Sequence, residues 1–235
     1  MIRTVLTFLF WAVMLPLGAL VGFPVVLLTG NVEFLYGIGT RVASAGIRLL
    51  GIRIEVSGLC KLDPRGTYVF MSNHASNLDP PALIPLLPRR TSVLVKKELF
   101  RIPIFGYAMR LASLVPVDRS NREAAVASIR AAGEVMRKGL NMTVFVEGTR
   151  SRDGRLLPFK KGPFYLAAES GMPIVPVTIV NSHALWPKGR WYARSGSVKI
   201  VFHDPLDPRA YLGNEQLMLA VRRSIASALP PETRD

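Results

Sequence analysis

The 235-residue chain has one cysteine, Cys60, and three widely separated histidines, His74, His183 and His203. A single thiol excludes an intrachain disulfide and fits a reducing compartment. A lone thiol and scattered imidazoles give no zinc-type ligand spacing, so no metal site is expected. No serine or cysteine sits in a recognisable nucleophile motif, which directs attention to reactions whose nucleophile is a substrate group. Acids are scarce: 16 aspartates and glutamates face 30 lysines and arginines, a net charge of +14. That excess calls for an anionic partner, such as nucleic acid, an anionic membrane face or a phosphorylated substrate. Helix-turn-helix, RRM and KH signatures are absent, so nucleic acid is not expected. Charge itself is missing from Thr4 to Val32.

That uncharged stretch exceeds the roughly 20 apolar residues a spanning helix needs. It is too long for the hydrophobic region of a signal peptide, and no clean small-x-small cleavage site follows it, so it is expected to be retained. Pro16 and Pro24, with Gly18 and Gly22, argue for a kinked span or a segment lying in one leaflet rather than one straight helix. From Glu33 to Leu50, Phe34, Leu35, Ile38, Val42, Ala45 and Leu49 recur at helical spacing and predict a second, amphipathic helix. Residues 1–50 therefore read as a two-helix membrane-docking segment. Residues 51–235 read as a single unit, without repeats or an internal linker.

Strands are expected at Ile52–Ser57, Tyr68–Met71, Ser92–Val95, Leu114–Val117, Met142–Val146, Ile174–Val180 and Ser197–Phe202. Helices are expected over Pro80–Leu87, Glu98–Leu111 with an interruption at Pro103, Pro163–Ser170 with Gly171 as its cap, and after a capping Asn214. A capping box, Ser120-Asn121-Arg122-Glu123, starts another. Alternation of elements and continuous apolar strands predict an α/β fold: a largely parallel sheet covered by helices on both sides. Ligands of such sheets bind beyond the carboxyl ends of the strands.

Three stretches carry chemistry, each just after an expected strand. Asn73-His74-Ala75-Ser76-Asn77-Leu78-Asp79-Pro80 places an imidazole and a carboxylate five residues apart. A histidine that takes a proton from an alcohol needs a partner that fixes its tautomer and stabilises the imidazolium, and Asp79 can be that partner. Asp79 before Pro80-Pro81 is equally a helix N-cap. Glu147-Gly148-Thr149-Arg150-Ser151 offers a flexible turn, hydroxyls and a planar guanidinium that suit an anion, or else a Glu147–Arg150 ion pair. Arg119, after Val117-Asp118, and Lys97 are further candidate anion ligands. Asp118 or Glu123 is the alternative partner for Arg119. Phe100, Ile102, Ile104, Phe105 and Tyr107 are either an apolar groove or ordinary core.

The ordered set Asn73-His74-x4-Asp79, Lys97-Glu98-Leu99-x3-Pro103-x2-Gly106, Val117-Asp118-Arg119, Phe145-x-Glu147-Gly148-Thr149-Arg150-Ser151 and Val175-Pro176-Val177 resembles the glycerolipid acyltransferase family over roughly residues 50 to 205. Within that family it is most similar to the bacterial 1-acyl-sn-glycerol-3-phosphate acyltransferases. Val146 departs from the proline usual there, and Pro116 departs in the run before Asp118. The resemblance implies acyl transfer from a thioester of acyl carrier protein or coenzyme A to the sn-2 hydroxyl of lysophosphatidic acid, at the cytoplasmic side of the cell membrane. His74 would be the base and Asp79 its holder. Lys97, Arg119, Gly148, Thr149 and Arg150 would bind the acceptor phosphate, and Glu147 would meet a glycerol hydroxyl or orient Arg150. No cofactor is implied. The rival expectations are another lysolipid acceptor, such as a lyso-ornithine lipid, and a lipid hydrolase or thioesterase in which water replaces the alcohol.

Overall fold

In the computed structural model of the chain, the described residues are 1–118 and 122–234, without the side chains of residues 122–126. Arg119 and the Ser120-Asn121-Arg122-Glu123 capping box therefore lie outside the described side chains. Two helices come first, α1 (Ile2–Thr29) and α2 (Val32–Leu49). The remainder runs β1 (Ile52–Ser57), β2 (Val69–Ser72), α3 (Asp79–Leu83), β3 (Thr91–Lys96), α4 (Phe105–Leu111), β4 (Val115–Val117), α5 (Arg122–Arg137), β5 (Asn141–Phe145), α6 (Gly162–Ser170), β6 (Ile174–Val180), α7 (Ser182–Leu185), β7 (Gly196–Phe202) and α8 (Asn214–Ser227).

The seven strands form one sheet in the order β1-β7-β6-β2-β5-β3-β4. β6, β2, β5, β3 and β4 are mutually parallel, while β7 runs against β6 and carries β1 parallel to itself. Side chains alternate across a strand, and in β2 both faces are buried. Val69 and Met71 pack with Met136, Phe164, Val221 and Ile225 from helices α5, α6 and α8. Phe70 packs on the opposite face with Ile47 of α2, Leu50, and Ala82 and Leu83 of α3. The largely parallel, doubly covered sheet matches the expectation, and the second helix contributes directly to its core.

The structure refines three local expectations. α1 is one continuous helix through both prolines. Each proline removes a helical N–H, but α2 supports the segment, with Gly18 and Gly22 so close to Ile38 and Leu35 that a Cβ at either would stand within 2.6 Å of those side chains. The segment from Lys97 to Leu111 is a 3-10 turn, Lys97–Arg101, followed by α4, with a break at Ile104 (φ 62°) after Pro103. Gly106 then passes where a Cβ would lie 2.2 Å from the Phe100 carbonyl oxygen, so a side chain is excluded there. Finally, Asn214 is the first residue of α8, and Gly213 (φ 94°) occupies the cap.

Candidate active site

The parallel part of the sheet assembles the three chemical stretches. Ser72 of β2 is level with Phe145 of β5, Val93 of β3 with Thr143, and Lys96 with Val117 of β4. Carrying those registers one or two residues past the strands puts His74, Glu147, Lys97 and Asp118 side by side along one edge. Residues that follow four strands, spread over 73 positions from His74 to Glu147, thus share the carboxyl end of the sheet.

The histidine turn is tightly specified. His74 Nδ1 lies 2.7 Å from Asp79 Oδ2, and the same oxygen accepts the backbone N–H groups of Ala75 and Ser76, each at 2.8 Å. Three donors converge on one oxygen of a fully buried carboxylate. An ionised carboxylate can only accept, so Nδ1 carries the proton and Nε2 holds the free lone pair. Asp79 opens α3, but it accepts from residues that precede it, and that helix has no side-chain cap. The geometry is therefore that of an imidazole holder and not of an N-cap. The Phe145 ring stacks on the imidazole at 4.1 Å between centroids, with 25° between planes, which fixes the ring orientation further.

Glu147 takes neither of the roles expected for it. It is buried, and Oε1 accepts the His74 N–H at 2.7 Å while Oε2 accepts the Leu157 N–H at 3.1 Å. Ser151 N–H closes the same link from the other side, donating to the His74 carbonyl at 2.8 Å. Glu147 is thus a buried clamp between the β2 and β5 turns. Burial pushes its carboxyl up to about 7, opposed by the two amides and assisted by the nearby Asp79 charge.

A raised carboxyl favours the neutral form in the folded state, so its contribution to stability is fullest at low pH and declines as pH rises from 4.5 to about 7. Glu147→Gln removes this titration and turns an amide N–H2 toward one of the two backbone donors. The expected result is a loss of about 1–3 kcal/mol and a flatter dependence of the unfolding midpoint on pH. Thermal unfolding of both proteins in detergent between pH 4 and 8 checks this (~4 units spanning the titration). An unchanged pH slope would remove Glu147 from this role.

Gly148 adopts a left-handed conformation (φ 68°), turning the chain so that Thr149 is exposed and Arg150 points back across the site. Arg150 Nη1 donates to Asn77 Oδ1 of the histidine turn. Lys97 is ion-paired with Asp118 at the β3–β4 end. Among the described residues Arg150 has no carboxylate partner. Lys188, on which the sequence offered no signal beyond its charge, lies against Thr149 and Arg150.

Apolar space adjoins this edge. A cavity of about 450 Å³ lies between α1 and the histidine turn, walled by Phe8, Trp11, Asn77, Pro81 and Trp186. It shares Trp11, Leu15, Ala43 and Pro81 with a larger cavity of about 710 Å³ that runs under α1 and α2 to α4. Of the residues expected to line a groove, Ile104 and Phe105 do so. Phe100 is core, and the Tyr107 ring meets Phe23 of α1.

Residues 53–180 match the family model described as Acyltransferase. The chain is 38% identical over 170 residues to a 1-acyl-sn-glycerol-3-phosphate acyltransferase of Limnanthes douglasii, covering 72% of this chain and 60% of that protein. It is 32% identical over 175 residues to the human 1-acyl-sn-glycerol-3-phosphate acyltransferase alpha, covering 74% and 62%. The matched part thus spans about three fifths of these curated relatives. The crystal structure of PlsC from Thermotoga maritima, a 1-acyl-sn-glycerophosphate acyltransferase, superposes with a TM-score of 0.81 at 27% identity, over 95% of this chain and 93% of that one.

Proposed function

The chain belongs to the acyltransferase family, and from that premise we propose that it transfers a fatty acyl group from a thioester donor to the sn-2 hydroxyl of 1-acyl-sn-glycerol 3-phosphate, making phosphatidic acid for phospholipid synthesis. The observation that carries this reading is the meeting, at one sheet edge, of an Asp-held histidine with a guanidinium that has no carboxylate partner among the described residues. Nε2 of His74 takes the hydroxyl proton as the oxygen attacks the thioester carbonyl. The tetrahedral intermediate collapses, the C–S bond breaks, and the imidazolium returns its proton to the departing thiolate. The products are an ester and a free thiol. Amides of the histidine turn are committed, His74 N–H to Glu147 and those of Ala75 and Ser76 to Asp79. The Gly148 N–H is likewise committed, to the Phe145 carbonyl at 3.0 Å.

The larger cavity suits an apolar chain: its volume matches a small-molecule pocket, and its walls include Trp11, Leu15, Ile38, Ile84 and Met109. It is assigned to the donor acyl group, whether the carrier is acyl carrier protein or coenzyme A. A panel of acceptors and donors with purified protein in mixed micelles tests the function. Lysophosphatidic acid should be the fastest acceptor, with lyso-ornithine lipid and monoacylglycerol far slower. Thioester loss at the same rate without any acceptor would make the protein a hydrolase.

The N-terminal helices are assigned to the cytoplasmic leaflet of the cell membrane. α1 is long and apolar enough to cross a bilayer by length and composition. Yet it is tied to the catalytic unit at both ends. Thr4 Oγ1 accepts the Ala193 N–H at 3.1 Å, and the Phe23 ring meets Tyr107 at 5.3 Å. Those points are about 28 Å apart at 1.5 Å per residue, so a perpendicular span would draw the catalytic unit into hydrocarbon. The outer face, with Leu6, Leu9, Val13, Leu17, Leu20 and Leu27 exposed, suits an in-plane helix. A cysteine introduced by Ile2→Cys in a Cys60→Ser background should resist an impermeant maleimide in spheroplasts until lysis. Labelling from outside would establish a span.

A further inference from the structure

We propose that Lys188, acting with the Thr149 hydroxyl, is a second phosphate-binding arm of the active site, supplied by the β6–β7 connection. The proposal deepens the acyltransferase reading and rests on it for the identity of the substrates.

The connection is fastened to the histidine turn. Ser76 Oγ donates to the Trp186 carbonyl at 2.7 Å, and Ser76 forms an isolated antiparallel bridge with Pro187. Buried Trp186 closes the turn by donating Nε1–H to the Arg190 carbonyl at 2.8 Å. The residue carried at the tip is Lys188. Its Nζ donates to Thr149 Oγ1 at 3.2 Å and to the Arg150 carbonyl at 3.3 Å.

Two consequences follow from that arrangement. An ammonium has three N–H donors, and two are used here, so one is left for a ligand. Because Thr149 Oγ1 accepts from the ammonium, its own O–H is released to donate elsewhere, and Thr149 is exposed. A cation and a hydroxyl donor thus present adjacent hydrogens on the turn that bears Arg150. Among the described residues Lys188 has no carboxylate partner, whereas Lys97 is bound to Asp118. Several acceptor oxygens on one dianionic centre match this pair, and a phosphate monoester supplies them. That phosphate belongs either to the acceptor's glycerol phosphate or to the donor carrier.

Lys188→Met keeps the length and removes the charge, and Lys188→Arg keeps the charge. Steady-state kinetics of the full chain in mixed micelles would compare lysophosphatidic acid with monoacylglycerol, and acyl-coenzyme A with acyl-pantetheine. The expected result for Lys188→Met is a rise of about tenfold in KM for one phosphorylated substrate and not for its unphosphorylated counterpart. Its kcat should stay near wild type, and Lys188→Arg should recover most of the loss. The arm that responds identifies the source of the phosphate. Equal losses with and without phosphate, or no rise in either arm, would overturn the proposal by leaving Lys188 a fastener of the turn. Thermal shifts with sn-glycerol 3-phosphate against glycerol need no turnover. If the wild type fails to acylate lysophosphatidic acid yet is stabilised by sn-glycerol 3-phosphate only when Lys188 is present, the phosphate site stands and the acylation reading falls.

Discussion

His74→Ala lowers acyl transfer by about 10²–10⁴-fold, the range lost when a positioned general base is removed, while the thermal midpoint stays near that of wild type. The imidazole is partly exposed and is hydrogen-bonded to Asp79. Its loss leaves Asp79 still accepting from the Ala75 and Ser76 amides. The two Asp79 variants separate charge from scaffold. Asp79→Asn keeps an oxygen for the three donors but loses the charge that stabilises the imidazolium, so activity falls in a folded protein. Asp79→Ala orphans all three donors in a fully buried position, and the fold suffers as well, since each unmet buried donor costs about 1–3 kcal/mol. Turnover assays beside thermal unfolding make the comparison. A folded His74→Ala protein with turnover close to wild type would remove the base assignment.

Arg150→Ala raises KM for lysophosphatidic acid by roughly ten- to a hundredfold and leaves KM for the acyl donor nearly unchanged. The magnitude corresponds to a charge-assisted hydrogen bond worth about 1.5–3 kcal/mol. The guanidinium is already oriented by Asn77 Oδ1, so little side-chain freedom is lost when phosphate arrives. Arg150→Lys keeps the charge without the planar fork and should recover only part of the affinity. Initial rates over matched concentration series of both substrates decide the point. If phosphorylated and unphosphorylated acceptors lose equally, Arg150 serves the Asn77 contact and not the phosphate.

The local chemistry was legible from residue order. A histidine and an aspartate five residues apart, following an apolar strand and preceding a helix, have little freedom except to meet, because the turn between them is short. The strand positions were legible for the same reason: apolar alternation and apolar runs act through neighbours. Residue order also exposed the uncharged first helix and the glycine turn at Gly148. The rest depended on contacts between residues far apart in the chain. Glu147 looked like a polar ligand beside Arg150, but sheet order sets β5 beside β2 and turns its carboxylate onto the His74 and Leu157 amides. Lys97 looked available until β4 brought Asp118 next to it. Lys188 carried no motif, and it enters the site only because the Trp186–Pro187 segment is fastened to Ser76. Likewise, two prolines argued against a straight first helix, and it is packing against α2 and the Ala193 contact that hold it as one continuous helix along the catalytic unit. Short-range sterics and burial patterns determine which groups are present and which turns they ride on. Only the packed sheet decides which of those groups face each other, because that depends on strand pairings no local stretch encodes.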